Sequence, residues 1–195
     1  MHFRLATVDD APQIQAIYAP IVTETATSFE LTVPTIEDIA GRIKKYTAQY
    51  AWLVCMDHHA VTGYAYGSLH RTRTAYQWST EVSVYVHHAY RKRNIGRALY
   101  LTLFDVLALQ GYYNAFAGVV VPNHASEALH TAVGFAPIGV YRNIGYKLGK
   151  WHDVKWFQRV LRPQDKSPVP PKPIAEFLDS DVYLHALQTG AGQVR

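Results

Sequence analysis

The stretch from Glu81 to Leu99, E-V-S-V-Y-V-H-H-A-Y-R-K-R-N-I-G-R-A-L, joins an alternating β-branched strand to a turn rich in Arg, Asn and Gly, and the turn to a helix. Asn94 and Gly96 are the residue types that most readily adopt left-handed backbone angles. Successive N–H groups from Lys92 through Arg93, Asn94, Ile95, Gly96 and Arg97 are therefore expected to point inward. The helix start adds its unpaired N–H groups and the positive end of its dipole. Arg91, Lys92, Arg93 and Arg97 surround the turn with positive charge, and the natural guest of such a nest is a pyrophosphate. The plainer alternative is an ordinary strand–turn–helix corner with solvated arginines. No G-x-x-x-x-G-K-[ST] occurs, nor a G-x-G-x-x-G with a downstream acidic residue, so triphosphate and dinucleotide readings have little support.

The chain around this corner has the length and balance of one soluble domain: 195 residues, 49% hydrophobic and 17% charged. No apolar run approaches the ~20 residues that span a bilayer, and the amino terminus lacks a basic segment followed by an apolar one. No membrane association and a cytoplasmic location are expected. Cys55 sits in the apolar run Trp52-Leu53-Val54-Cys55 and reads as a buried strand thiol. The net charge of +4 is scattered apart from the Arg91–Arg97 loop, which argues for a small polyanion and against nucleic acid. Ten histidines invite a metal reading. However, His58/His59 and His87/His88 are adjacent pairs that would point to opposite faces of a strand, and no metal-ligand spacing appears, so no metal is expected.

Periodicity orders the rest. A short strand over His2 to Ala6 leads into a helix begun by Asp9-Asp10 and carrying Ile14, Ile17, Tyr18 and Ile21. A second helix starts at Thr35, whose pairing with Asp38 approximates a capping box, and runs to about Tyr46. Two strands, Ala51 to Asp57 and Ala60 to Leu69, read as a hairpin across His58-His59. After a charged loop, the strand Gln77 to His87 precedes the basic turn. The helix Ile95 to Gln110 is apolar almost all round, which predicts burial. Tyr112 to Val121 reads as a central strand covered on both faces, and a short helix runs from Asn123 to Gly134. Strands over Phe135 to Lys147 and Asp153 to Leu161 complete a domain over residues 1–162. Residues 163–195 form a Pro-rich linker and a tail in which Ile174 to Leu187 is expected to make an amphipathic turn or helix.

The spacing Arg91-x-x-Asn94-x-Gly96-x-x-Leu99 resembles the R/Q-x-x-G-x-G/A loop with which the GNAT superfamily holds the pyrophosphate of acetyl-CoA, Asn94 standing where that family most often has Gly. The segment Asn123-His124-Ala125-Ser126-Glu127-Ala128-Leu129-His130, followed by Gly134-Phe135, is similar to a second GNAT motif. The element order matches as well. The resemblance implies an α/β GNAT fold, with a mixed central sheet of about seven strands, helices on both faces and splayed central strands forming the acetyl-CoA site. It implies that Val84, Tyr85 and Val86 pair with pantetheine through their backbone, that Asn123 and Ser126 belong to the segment along the pantetheine arm, and that His130 lies near the thioester sulfur.

Acetyl transfer to an amine needs a neutral amine, a donor for the tetrahedral oxyanion and a proton for the leaving thiolate. Alternation places Glu81, Ser83 and Tyr85 on one strand face. Glu81 reads either as a general base that takes the ammonium proton, directly or through water, or as an ion-paired edge residue. His130 reads as the thiolate's acid or an oxyanion donor, or as a packed helix histidine. Arg71-Thr72-Arg73-Thr74-Ala75-Tyr76, Glu81 to Val86, Pro122-Asn123 and Gly149-Lys150-Trp151-His152-Asp153-Val154 together look like the phosphinothricin and methionine sulfoximine/sulfone acetyltransferases. That resemblance implies a small amino-acid-like acceptor near Arg71 and Arg73, aromatic walls at Phe29, Tyr18 and Tyr76, and a homodimer. Peptide or protein acetylation and a CoA-binding sensor without turnover stand as alternatives.

Overall fold

A computed structural model describes all residues 1–195. Its elements are β1 (His2–Leu5), α1 (Ala11–Glu24), α2 (Ile36–Thr47), β2 (Trp52–Asp57), β3 (Ala60–Leu69), β4 (Ser79–Val86), α3 (Ile95–Gln110), β5 (Asn114–Val121), α4 (His124–Ala132), β6 (Ala136–Lys147), β7 (Lys150–Val160) and α5 (Asp181–Ala191). The seven strands form one sheet in the order β1-β2-β3-β4-β5-β7-β6. Every neighbouring pair is antiparallel except β4 and β5, which are parallel and joined by the α3 crossover.

Local chemistry sets the boundaries. The Asp38 N–H donates to Thr35 Oγ1 (3.1 Å) and the Thr35 N–H to Asp38 Oδ2 (3.0 Å), the reciprocal cap that starts α2. α3 stops at Gly111, whose φ of +103° ends a helix readily only in glycine. The β6–β7 turn is Leu148-Gly149, both at positive φ, as a two-residue hairpin turn matched to strand twist requires. That turn starts β7 at Lys150, three residues before the expected Asp153, and pairs Trp151 and His152 with Tyr146 and Gly145.

Apolar side chains bury in two layers. On one sheet face Leu99, Leu103 and Leu107 of α3 cover Val82, Ala115, Ala117 and Phe157; on the other Ile14, Ile17, Ile39 and Ile43 of α1 and α2 cover Trp52, Val54 and Tyr64. Each fully buried Leu, Ile, Val or Phe among them contributes ~1.5–3 kcal/mol. The double cover expected for β5 is found on one face only. Ala115, Ala117 and Val119 are buried, but α1 and α2 pack mainly on β2, β3 and β4, and Phe116, Gly118 and Val120 on the other face stay partly or fully exposed.

The tail is tied into this body. Lys172 N–H donates to Gln110 O (2.8 Å), while Gln110 Nε2 donates to Lys172 O (2.9 Å) and Gln49 O (2.6 Å). Ile174 is fully buried in the α3 core, and α5 lies against α3 and β1. Ile174→Ala is expected to cost about 2–5 kcal/mol in urea unfolding. A loss under ~0.5 kcal/mol, the range of ordinary surface substitutions, would detach the tail from the core.

Candidate active site

The basic turn forms a nest, with one change in which residues make it. Lys92 (φ +64°) and Asn94 (φ +65°) hold the left-handed positions, alternating with Arg91 and Arg93. Gly96, expected to be left-handed, is instead the second residue of α3. It sits between the two walls of the groove: a Cβ there would be in ordinary contact, 3.5 Å from both Leu129 Cδ2 and Val86 Cγ2. The first N–H groups of α3 thus open onto a groove of about 680 Å³. One wall is Val86 with Arg91, Lys92, Asn94, Ile95, Gly96 and Arg97; the other is Ala125, Ala128, Leu129 and Ala132, of α4. Arg93 does not line the groove, its guanidinium lying over the Tyr90 ring at 5.0 Å.

Beside the groove the sheet comes apart. β4 pairs with β3 from Thr80 to Val86, but with β5 only at Ser79–Asn114, Thr80–Ala115 and Glu81–Phe116. The β5-facing edge from Val82 to Val86, including Val84 and Tyr85, therefore has no strand partner. The Tyr85 ring itself packs into the second core against Tyr18 and Tyr64, so this residue presents its backbone to the gap.

α4 places Asn123 and His130 differently from each other. Asn123 Oδ1 accepts from the Ser126 N–H (3.1 Å), the cap its type and position predict, and neither Asn123 nor Ser126 lines the groove. His130 is 4% exposed. Its Nδ1–H donates to Ser126 O (2.7 Å), the Tyr100 hydroxyl donates to its Nε2 (3.2 Å), and Phe135 and Phe157 flank the ring. Burial pushes its pKa down, only partly opposed by the Ser126 bond. A neutral imidazole with both nitrogens occupied is a packing element joining α4 to α3. His130 does not line the groove between α3 and α4.

Glu81 stands where the β4–β5 ladder ends. Its side chain is one-third exposed, so the apolar strand does not bury it. His70 Nδ1–H donates to its Oε1 (3.0 Å) and Arg71 Nη1 lies 3.5 Å away. His70 stacks on Phe116 (centroids 4.4 Å, 9°) and leaves Nε2 without a partner in the chain. Sequence reading passed over His70. The hairpin register, Ser68 opposite Glu81, would have pointed to it as the residue carried round beside that carboxylate.

Beside Glu81, which itself lines neither hollow, a cleft runs over the uncovered face of β5. Gly118 and Val120 of β5, Val154 and Trp156 of β7 and Tyr141 and Ile144 of β6 bound about 360 Å³, with Phe29 and Arg71 at its rim. A second hollow of about 210 Å³ adds His70 and Phe116 and shares Arg71, Tyr141 and Trp156. A Cβ on Gly118 would approach Val154 Cγ1 to 3.2 Å, and one on Gly145 would overlap the Phe29 ring; these two glycines let the walls close. Of the expected acceptor residues, Arg71 and Phe29 line the cleft. Arg73 and Tyr76 are exposed and line neither hollow, though Tyr76 lies edge-on to His70 at 6.2 Å. Tyr18 is no wall at all: it is buried, its hydroxyl bonded to Ser28 Oγ (2.6 Å) and donating to Glu30 (3.0 Å), which fixes the loop that carries Phe29.

Comparisons with known proteins agree with this architecture. Residues 3–156 match the acetyltransferase (GNAT) domain family. The chain is 31% identical over 174 residues to a phosphinothricin N-acetyltransferase of Streptomyces viridochromogenes, covering 89% of this chain and 93% of the relative. It is 32% identical over 162 residues to an L-methionine sulfoximine/L-methionine sulfone acetyltransferase of Salmonella typhimurium, covering 83% and 95%. A crystal structure of a GNAT superfamily phosphinothricin acetyltransferase from Sinorhizobium meliloti in complex with AcCoA superposes with a TM-score of 0.81 at 31% identity, over 88% of this chain and 97% of that one. With the split β4–β5 ladder and the nest at the start of α3 in place, the chain belongs to the GNAT family of N-acetyltransferases.

Proposed function

We propose that the protein transfers the acetyl group of acetyl-CoA to the α-amino group of a small amino acid or amino-acid analogue, with Glu81 as general base. The observation that carries this reading is the position of Glu81, the last β4 residue paired with β5, held by His70 and Arg71, which themselves line the hollow over β5. Lys92–Arg97 and the α3 N-terminus bind the pyrophosphate, and the unpaired edge of Val84–Val86 receives the pantetheine amides. The acceptor ammonium sits by Glu81, which takes its proton directly or through water; His70 holds the carboxylate in place. Arg71 is the cleft's cation and its fork suits the acceptor's carboxylate or a phosphinate. The amine then attacks the thioester carbonyl, the oxyanion is held by β4 backbone N–H groups, and as the C–S bond breaks the proton on the attacking nitrogen passes through water to the sulfur, so that CoA leaves as the thiol. Hollows of about 360 and 210 Å³ favour a compact acceptor over a folded protein.

A homodimer is part of the proposal. The edge strand β6 and its turn expose Ile138, Ile144, Tyr146 and Leu148, and Trp151 of β7 pairs edge-on with Tyr146. An uncovered apolar edge strand of this length calls for a partner surface. Sedimentation velocity is expected to show a dimer that the double substitution Tyr146→Ser/Trp151→Ser converts to monomer. A monomeric unmodified chain would reject this part.

The central test is CoA-thiol release from acetyl-CoA with phosphinothricin, methionine sulfoximine, methionine sulfone, common amino acids and a lysine-containing peptide. Turnover confined to the small acceptors is expected, and turnover with the peptide alone would overturn the reading. Glu81→Gln should lower kcat by about 10²–10⁴-fold and move the optimum to higher pH, where free amine no longer needs a base. An unchanged rate and profile would remove Glu81 from the mechanism. Gly96→Val projects methyl groups between Val86 and Leu129 and should weaken acetyl-CoA binding at least about tenfold, an effect of overpacking that isothermal titration reads directly.

A further inference from the structure

The matched family region ends at residue 156, yet the chain goes on to place its last residues at the nest. From the Lys172–Gln110 bonds at the C-terminal end of α3, the tail returns along that helix towards its N-terminus. Gly190 passes Thr102 so closely that a Cβ there would overlap its hydroxyl. Beyond α5, the Arg195 N–H donates to Arg93 O (3.0 Å), Asn94 Nδ2 donates to Gln193 O (2.8 Å) and Arg97 Nη1 donates to Gln193 Oε1 (3.2 Å). Arg195 lines the same groove as Arg91, Lys92 and Arg97, making it the fourth basic residue there.

These contacts give a reason for asparagine at position 94. Its φ of +65° is one that glycine would adopt with less strain, and its side chain makes no cap to α3. What asparagine adds is the amide that ties the loop to the tail. We propose that Gln193–Arg195 form a cofactor-binding element. Gln193 fixes Asn94, at the turn of the nest, and the guanidinium of Arg97, while Arg195 adds a cation for the phosphate groups of acetyl-CoA. This rests on the acetyl-CoA reading of the groove. The tail is then a positioning part of the site whose conformation is set before the cofactor arrives, which lowers the ordering cost of binding.

The test is calorimetric titration of acetyl-CoA into the full chain and into Asn94→Gly, Gln193→Ala and Arg195→Gln, with acetyl-CoA and acceptor KM values and melting temperatures alongside. Each variant is expected to raise the acetyl-CoA Kd by about 3- to 10-fold, the scale of one hydrogen bond. The KM for acetyl-CoA should follow and that for the acceptor should not. Arg195→Gln should also flatten the salt dependence of binding. Unchanged affinity in all three variants overturns the proposal, as does tighter binding, which would make the tail an obstruction. Failure of the unmodified chain to bind acetyl-CoA would instead remove the reading on which both rest.

Discussion

The arrangement of the site depends on where the β4–β5 ladder stops. Parallel pairing holds only from Ser79 to Glu81, and past that point each strand keeps its outer partner, β3 or β7, while losing the inner one. Backbone groups left unpaired inside a protein are costly unless something else satisfies them. A splay in mid-sheet therefore persists because packing on both sides enforces it. α3 and its core hold β4 from one face, and the Tyr18–Tyr85–Tyr64 cluster holds it from the other. The opening joins two compartments on opposite sides of the sheet, the basic groove by α3 and α4 and the aromatic cleft over β5. Glu81 is the last paired residue and so stands at the junction.

Electrostatics divides the same way. The groove carries fixed positive potential from a helix start, a nest and three basic side chains of its own loop, which suits a ligand with several negative charges. The cleft is bordered by aromatic rings and carries one cation, Arg71, whose guanidinium lies 3.5 Å from the Glu81 carboxylate at the end of the β4–β5 ladder. Under the proposed function a zwitterionic amino acid would match that pair charge for charge, its carboxylate on Arg71 and its ammonium facing Glu81. In the proposed reaction the acceptor thus replaces an existing, partly exposed ion pair.

Much of this was legible in the chain, for reasons that differ by element. α3 was read at its observed bounds because its apolar pattern runs unbroken between Asn94 and Gly111, both of which turn left-handed. The α2 cap and the His58-His59 hairpin are set by residues within a few positions of one another. What escaped depends on partners far along the chain. His130 carries the family motif, but its environment is made by Tyr100, Phe135 and Phe157 on three other elements. His70 gains its meaning from Glu81 and Phe116. Lys92 took the left-handed place assigned to Gly96 because α3 begins one residue before that glycine, and a helical residue has no use for positive φ.

The tail follows from the same physics. A helix apolar almost all round can turn only the strip carrying Arg97 and Asp105 to water, so the sheet that covers Leu99, Leu103 and Leu107 leaves Leu101 and Leu109 needing a second cover. α3 has 16 residues and is about 24 Å long. A covering segment that starts at its C-terminal end, as Pro171–Ile174 does, and runs the full length of the helix must finish at its N-terminal end. In this fold that end is the nest. The burial requirement of α3 thereby brings Gln193–Arg195 to the basic groove, and Asn94 and Arg97 turn the proximity into hydrogen bonds.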